Sequence, residues 1–130
     1  MYFQKRQNKY GNIKQNYQGY IYASKRESQR AYELDMLLKG KEILKWERQI
    51  NLPLYFRERK ICDYRIDFIR HEKNKDIVLE EVKGFEQSAW KLKRNLLEVI
   101  LDYPLSEEYE MIAQKIGVKK TQEIRYEVLK

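Results

Sequence analysis

Residues 64–84 read YRIDFIRHEKNKDIVLEEVKG, in which two largely apolar runs flank a polar segment. The first run places aromatic or aliphatic side chains at every second position: Tyr64, Ile66 and Phe68. In the second run, Ile77, Leu79, Glu81 and Lys83 alternate with Val78, Glu80 and Val82. Alternation with a period of two predicts β-strands. The polar segment between them, with Asn74 near its middle, predicts an antiparallel hairpin.

This hairpin is expected to bring three charged side chains together. In a register centred on Asn74, Asp67 lies directly opposite Glu81, with Cβ atoms about 4.5–5.5 Å apart. Lys83 follows Glu81 by two residues and therefore points to the same face. A divalent cation would relieve the repulsion between the carboxylates, and an ammonium can stabilise charge on a phosphate. The alternative is an ordinary solvated network of three charges across two strands.

A helix is predicted over residues 27–38, because Ala31, Leu34 and Leu38 recur on one stripe together with Glu27. Glu27 would project from the first turn toward the sheet. The alternative is that Ser24 and Glu27 form a capping box, in which Glu27 only binds the amide of the N-cap residue. Gly40 is expected to end this helix.

A helix with a glutamate, followed by strands with an aspartate and a Glu-x-Lys pair, resembles the PD-(D/E)XK nuclease superfamily. Within it, the chain is similar to a small phage-associated nuclease family first catalogued as a domain of unknown function. The resemblance covers roughly Lys9 to Tyr103. It is carried by separated motifs: Lys9-Tyr10-Gly11-Asn12, Gly19, Ser24-Lys25 with Glu27, Tyr32-Glu33-Leu34, Gln49, Asp67, Glu81-Val82-Lys83-Gly84 and Lys91-Leu92-Lys93.

The resemblance implies an α/β fold with a restriction-endonuclease-like core, a mixed central sheet flanked by helices in the order αβββαβ. It makes Asp67 and Glu81 ligands of Mg²⁺ or Mn²⁺ and Lys83 the catalytic lysine. Glu27 would be an accessory acid and a further metal ligand, and Gln49 a weaker candidate near the site. Glu80 competes with Glu81, but the spacing to Lys83 favours Glu81, and strand alternation places Glu80 on the opposite face.

Positive charge is concentrated at the start of the chain. Residues 1–30 contain seven basic and one acidic residue, whereas residues 31–130 contain 20 basic and 19 acidic ones. Lysines and tyrosines are interleaved there, which suits a surface that contacts phosphates and exposed bases. The alternative is a polar, partly disordered arm in which Tyr20 and Tyr22 pack as a short strand.

The expected nucleic-acid contacts lie in this segment and at the start of the helix predicted from Ser88 to Leu101. They are Lys9, Tyr10, Lys14, Lys25, Lys91 and Lys93. For the last two, a solvated helix face is an equally good interpretation.

A length of 130 residues predicts one domain. Within it we expect a basic, tyrosine-rich arm over about 1–23, a first strand from Ile43 to Ile50 that ends before Pro53, and a helical insertion over about 106–120. A last strand is predicted over residues 124–129. The sole histidine, His71, is expected in the hairpin loop.

The sequence has no apolar run of membrane-spanning length, and its first residues lack the apolar stretch of a signal peptide, so we expect a cytoplasmic protein. Cys62 is the only cysteine, which excludes an intrachain disulfide.

The expected function is a metal-dependent DNA endonuclease, specific for branched DNA in the manner of a Holliday-junction resolvase, that serves phage recombination or replication. A resolvase cuts two strands, so a homodimer is the natural corollary. The alternatives are a noncatalytic nucleic-acid-binding module on the same fold and an RNA nuclease.

Overall fold

The computed structural model describes residues 6–7, 13–83 and 87–130. The chain divides into two compact units, Met1–Ile43 and Leu44–Lys130.

The first unit contains a three-stranded antiparallel sheet and one helix. The strands are β1 (Arg6–Gln7), β2 (Ile13–Tyr17) and β3 (Tyr20–Tyr22), and α1 spans Lys25–Lys39. Strands β2 and β3 are joined by Gln18 and Gly19, both with positive φ, as in the tight turns that suit the twist of a hairpin.

The β2–β3 hairpin packs against α1. The Tyr17 hydroxyl donates a hydrogen bond to Asp35 at 2.6 Å, and its ring meets Tyr32 edge to face. Tyr22 is buried. Part of the segment expected to be an arm is thus folded, and the short strand expected at Tyr20 and Tyr22 is present as β3.

The second unit is built on a mixed four-stranded sheet. Its strands are β4 (Ile43–Phe56), β5 (Arg59–Glu72), β6 (Ile77–Val82) and β7 (Ile124–Leu129), adjacent in that order. Strand β6 pairs antiparallel with β5 and parallel with β7. A parallel pair needs a crossover connection, which here contains α2 (Ser88–Leu101) and α3 (Glu107–Ile116). The α/β class is confirmed, and so are the helix ending at Leu101 and the last strand. The expected cap of that helix at Ser88 is wrong, because Ser88 is its first residue and Gln87 is the N-cap.

One hydrophobic cluster joins the sheet of the second unit to its two helices. Sheet residues such as Leu54, Ile66 and Leu79 are buried together with Leu97 of α2 and Ile112 of α3.

In the described part of the chain, no helix combines the length and the apolar character needed to cross a membrane.

The expected break before Pro53 is wrong. Strand β4 continues through Pro53 to Phe56. Proline lacks an N–H to donate to a neighbouring strand, but β4 is the edge strand of the sheet, where that loss is tolerated. A two-residue turn, Arg57 and Glu58, both with positive φ, then leads into β5.

The predicted β5–β6 hairpin and its register are confirmed. Phe68 pairs with Glu80 and His71 with Ile77, so the hairpin is centred on Asn74. The Asn74 side chain accepts a hydrogen bond from the Asp76 backbone N–H at 2.9 Å, which stabilises the turn.

A buried ionic network lies on one face of this hairpin. Glu80 is 0% exposed and forms an ion pair with Arg70. The Arg70 guanidinium also lies 3.0 Å from Glu72 and 3.5 Å from Glu127 on β7. The network therefore ties three strands together at the position of Glu80.

Replacing Arg70 with methionine should lower the free energy of unfolding by about 3–5 kcal/mol, because the Glu80 carboxylate would stay buried without this cation. An additional Glu80→Leu substitution should recover part of that loss. Urea unfolding followed by circular dichroism measures both effects. The control is Lys60→Met, which removes an exposed ion pair with Asp63 and should leave the midpoint nearly unchanged. Equal losses in Arg70→Met and Lys60→Met would contradict a buried role for Arg70.

Candidate functional site

Asp67 and Glu81 lie on neighbouring strands at the end of the β5–β6 ladder. The last paired residues are Phe68 and Glu80, so Asp67 directly precedes the paired segment of β5 and Glu81 directly follows that of β6. Oδ2 of Asp67 accepts a hydrogen bond from the backbone N–H of Val82 at 2.8 Å. The Asp67 carboxylate is therefore fixed beside Val82, the residue after Glu81, and Glu81 itself is buried.

Strand β5 departs from regular alternation at Asp67. Ile66 and Ile69 belong to the same hydrophobic cluster, although residues three apart on a regular strand point to opposite faces. Phe68, between them, is buried and meets the Trp46 ring edge to face at 5.8 Å between centroids. Local irregularities of this kind re-aim side chains, and they are over-represented next to active sites.

Lys83 extends the cluster beyond the end of β6. Its Nζ lies 3.4 Å from Oε1 of Glu81. Its backbone N–H donates to the Leu129 carbonyl at 2.9 Å, which continues the pairing with β7 and fixes the main chain at this position. The ammonium lies 5.3 Å from the centre of the Trp90 ring, within the range of a cation–π contact. Lys83 is thus held both by a carboxylate and by an aromatic ring.

Trp90 is the centre of a group of side chains behind Lys83. The Arg94 guanidinium lies 5.0 Å from the centre of the same ring. The indole N–H donates a hydrogen bond to the Tyr64 hydroxyl at 2.7 Å, and the Tyr64 and Tyr126 hydroxyls are also 2.7 Å apart. This chain of hydrogen bonds fixes the orientation of the indole that contacts Lys83.

The Tyr64 and Tyr126 hydroxyls, which are hydrogen-bonded to each other, resist ionisation. Burial, followed by the negative charge of Glu81, raises the pKa of Tyr64. Burial also raises the pKa of Tyr126, although its hydrogen bond with Tyr64 acts in the opposite direction. The two hydroxyls therefore remain neutral hydrogen-bonding groups at physiological pH.

The carboxylates of Asp67 and Glu81 provide the oxygen ligands that Mg²⁺ and Mn²⁺ prefer. Across residues 6–7, 13–83 and 87–130, no group of three or more His, Cys, Asp or Glu side chains is arranged to hold a metal ion. Mg²⁺, however, is usually bound through one or two carboxylates together with water and substrate phosphates. The chemistry of this donor pair fits an ion that shares its coordination with a substrate.

Glu27 lies in the first unit and forms helix-capping contacts there. Its backbone N–H donates to Ser24 Oγ at 3.1 Å, and its Oε2 accepts from the Ala23 N–H at 3.0 Å. This is a variant of the capping box, in which the carboxylate normally reaches the amide of the N-cap residue itself. The role of Glu27 as an accessory acid and metal ligand stays a prediction.

The residues expected to contact nucleic acid occur in both units. Lys9 and Tyr10 lie outside the described residues, Lys14 is in β2, and Lys25 is the exposed first residue of α1. On α2, Lys91 is exposed and Lys93 is partly buried. Contact of these residues with nucleic acid stays a prediction.

Two further residues singled out in the sequence lie on β4 and β5. Gln49 adopts a positive φ of 48° and accepts a hydrogen bond from Arg65. His71 lies in β5 rather than in the hairpin loop, and its Nε2 is 2.8 Å from a carboxylate oxygen of Glu47. The expected loop position of His71 is wrong because β5 continues to Glu72, which shortens the loop.

Sequence reasoning missed the aromatic side chains behind Lys83. Trp90 and Arg94 are four residues apart on α2, a spacing that could have paired them on one helix face. No local pattern relates Trp90 to Tyr64 or Tyr126, which belong to different strands.

Comparison of the chain with protein-family models, with curated proteins and with solved structures finds no match.

Substitution of Tyr64 tests the hydrogen-bonded arrangement of Trp90, Tyr64 and Tyr126. Tyr64→Phe should lower the free energy of unfolding at pH 8 by about 1–3 kcal/mol, since the buried indole N–H loses its acceptor. Above pH about 10 the unfolded parent loses tyrosine protons that its folded state retains, so the parent loses stability as the pH rises. Removing Tyr64 should reduce that loss by up to about 1.4 kcal/mol per pH unit.

Urea unfolding between pH 8 and 11 measures both effects. Tyr32→Phe is the matched control, because Tyr32 is exposed and should change neither the stability at pH 8 nor its alkaline slope. An unchanged alkaline slope in Tyr64→Phe would contradict the inferred rise of the Tyr64 pKa.

Proposed function

We propose that this chain is a divalent-metal-dependent nuclease that hydrolyses phosphodiester bonds in DNA. The observation that carries the proposal is the cluster at the end of the β5–β6 ladder. There, Asp67 is fixed beside Val82, and the Lys83 ammonium lies 3.4 Å from the buried Glu81 carboxylate. Carboxylates on two neighbouring strands and a nearby ammonium are the groups that would bind a phosphate and its metal ion.

The order of elements supports the proposal. From α1 onward the chain contains a helix, three strands, a helix and, after α3, a final strand parallel to β6. This agrees with the αβββαβ order of the PD-(D/E)XK superfamily, with α3 at the position of the expected insertion. Asp67 falls on the second strand of that order and Glu81 on the third, and Lys83 directly follows the third strand, in the sequence order that the resemblance implies.

In this proposal Asp67 and Glu81 hold the metal ion. The bound ion would supply an activated water and stabilise negative charge on the phosphate. Lys83 binds a nonbridging phosphate oxygen and stabilises the charge that develops during hydrolysis. Trp90 contacts the Lys83 ammonium and limits its motion, so Trp90 acts as a positioning residue.

The substrate we favour is branched DNA. The chain has a formal net charge of +7, which favours binding to the nucleic-acid backbone whatever its sequence. Phosphate contacts position a protein without reading bases, so recognition would depend on the shape of a junction or flap. A homodimer with two sites is part of this proposal, because a junction resolvase cuts two strands.

The test is cleavage of a labelled four-way junction, a flap and a linear duplex with Mg²⁺, Mn²⁺ or EDTA. The parent should cut the junction in paired positions only when the metal is present. Asp67→Asn and Lys83→Ala should each lower the rate by at least about 100-fold while the affinity for the junction stays within a few-fold. Asparagine keeps an oxygen that can accept from Val82, so Asp67→Asn removes the charge with little change of structure.

Asp63→Asn and Lys73→Ala are the matched controls. Asp63 precedes Asp67 by four residues on the same strand but is exposed, and Lys73 is an exposed residue of the hairpin turn. Both variants should cut at the parent rate. Binding without cleavage under every metal condition would favour the noncatalytic module, and preferential cleavage of a structured RNA competitor would favour the RNA nuclease.

A further inference from the structure

Helix α2 exposes an apolar stripe that lies to one side of its core-facing residues. Leu92 is 71% exposed, Val99 53% and Tyr103, just after the helix, 65%. Leu96, between Leu92 and Val99, is partly buried and also packs against the main hydrophobic cluster. The three positions within the helix are four and three residues apart, which is the spacing of the apolar seam of a two-helix coiled coil, and Tyr103 follows directly after the helix.

Leu92 and Val99 are additional to the face that α2 uses in its own unit, and Leu96 lies at the margin between the two faces. Trp90, Leu97 and Ile100 are the residues of α2 buried in the main hydrophobic cluster. A helix that packs on one sheet normally needs only that one apolar face and carries polar residues elsewhere. Contiguous exposed apolar side chains on a second face are typical of an interaction surface.

The charges beside the stripe indicate what covers it. Lys91 lies in the first turns of α2, and the helix has no acidic residue in its first turn. Glu98 and Asp102 lie near the C-terminal end and are exposed, as is Lys91. At 100° per residue all three fall on the same edge of the stripe. This distribution is unfavourable for an isolated helix, whose N-terminus favours negative and whose C-terminus favours positive charge.

We propose that α2 pairs with α2 of a second copy of this chain, antiparallel and about a twofold axis. In this arrangement Leu92 packs beside the partner's Tyr103, and Leu96 beside the partner's Val99. Lys91 of each copy then lies near the partner's Asp102. The distribution of charge that is unfavourable for one helix becomes complementary in the pair, because each basic end meets an acidic end.

The proposal names the interface of the homodimer that the proposed function assumes. The dimer interface depends on the proposed nuclease function only for its biological role. The self-association can be measured without substrate or metal, so its failure and the failure of the nuclease assignment are separate results.

The first experiment measures the molar mass of the full chain by light scattering and sedimentation between about 1 and 100 μM. The parent should be a dimer in the upper part of this range. Leu92→Glu and Val99→Glu should each give a monomer with an unchanged far-UV circular dichroism spectrum. Leu105→Glu is the control, because Leu105 is fully exposed in the loop after α2 but lies off the stripe. It should remain dimeric.

A parent that is monomeric at 100 μM would overturn the proposal. So would a dimer that persists in both stripe variants, or one that is lost equally in Leu105→Glu.

A charge exchange tests the antiparallel arrangement. Lys91→Glu and Asp102→Lys should each raise the dimer dissociation constant about tenfold, since every substitution creates two like-charged contacts across the twofold axis. The double variant Lys91→Glu/Asp102→Lys should return it to near the parent value. Each single change also improves the charge distribution of the isolated helix, so weaker association cannot be attributed to loss of α2. A double variant no tighter than the single ones would overturn the antiparallel pairing.

Discussion

The pairing of β5 with β6 is the constraint on which the candidate site depends. A turn centred on Asn74, closed by its side chain and by the backbone of Glu72 and Asp76, fixes which residues of the two strands meet. A slip of one residue would send every side chain of a strand to the opposite face. In the observed register Asp67 comes next to the residues that precede Lys83, where its carboxylate accepts from the Val82 N–H.

The same register separates two adjacent glutamates that are both buried. Glu80 is balanced by Arg70 within a network that links β5, β6 and β7, whereas Glu81 lies 3.4 Å from the Lys83 ammonium. Burying a carboxylate is costly unless a cation or hydrogen bonds compensate. Because consecutive side chains of a strand point to opposite faces, each glutamate has its own cation. One therefore contributes to stability and the other is available to the proposed chemistry.

Helix α2 connects the candidate site to the proposed dimer interface. Its Trp90 contacts the Lys83 ammonium and joins the hydrogen-bonded pair of tyrosines. Leu97 packs in the core, and Leu92 and Val99 are exposed on another side of the same helix. A rigid helix that carries both features would fix the relation between the two candidate sites of the proposed dimer. This is the geometric requirement for paired cuts in a branched substrate.

Features that depend on nearby residues could be predicted from the sequence. The β5–β6 hairpin and its register, the cap of α1 at Ser24 and the opposite faces of Glu80 and Glu81 all follow from alternation, turn residues and spacing. These signals span only a few residues, so they can be recognised before the chain folds. They brought Asp67, Glu81 and Lys83 together as candidates, although their chemical roles remain a proposal.

The surroundings of these residues could not be predicted in this way, because they are formed by residues far apart in the sequence. Trp90 meets Tyr64 across 26 positions of sequence, and Tyr64 meets Tyr126 across 62. The passage of β4 through Pro53 depended on its place at the edge of the sheet. Such contacts arise from the packing of whole strands and helices, in which the partner of a side chain is set by the fold rather than by its neighbours in sequence.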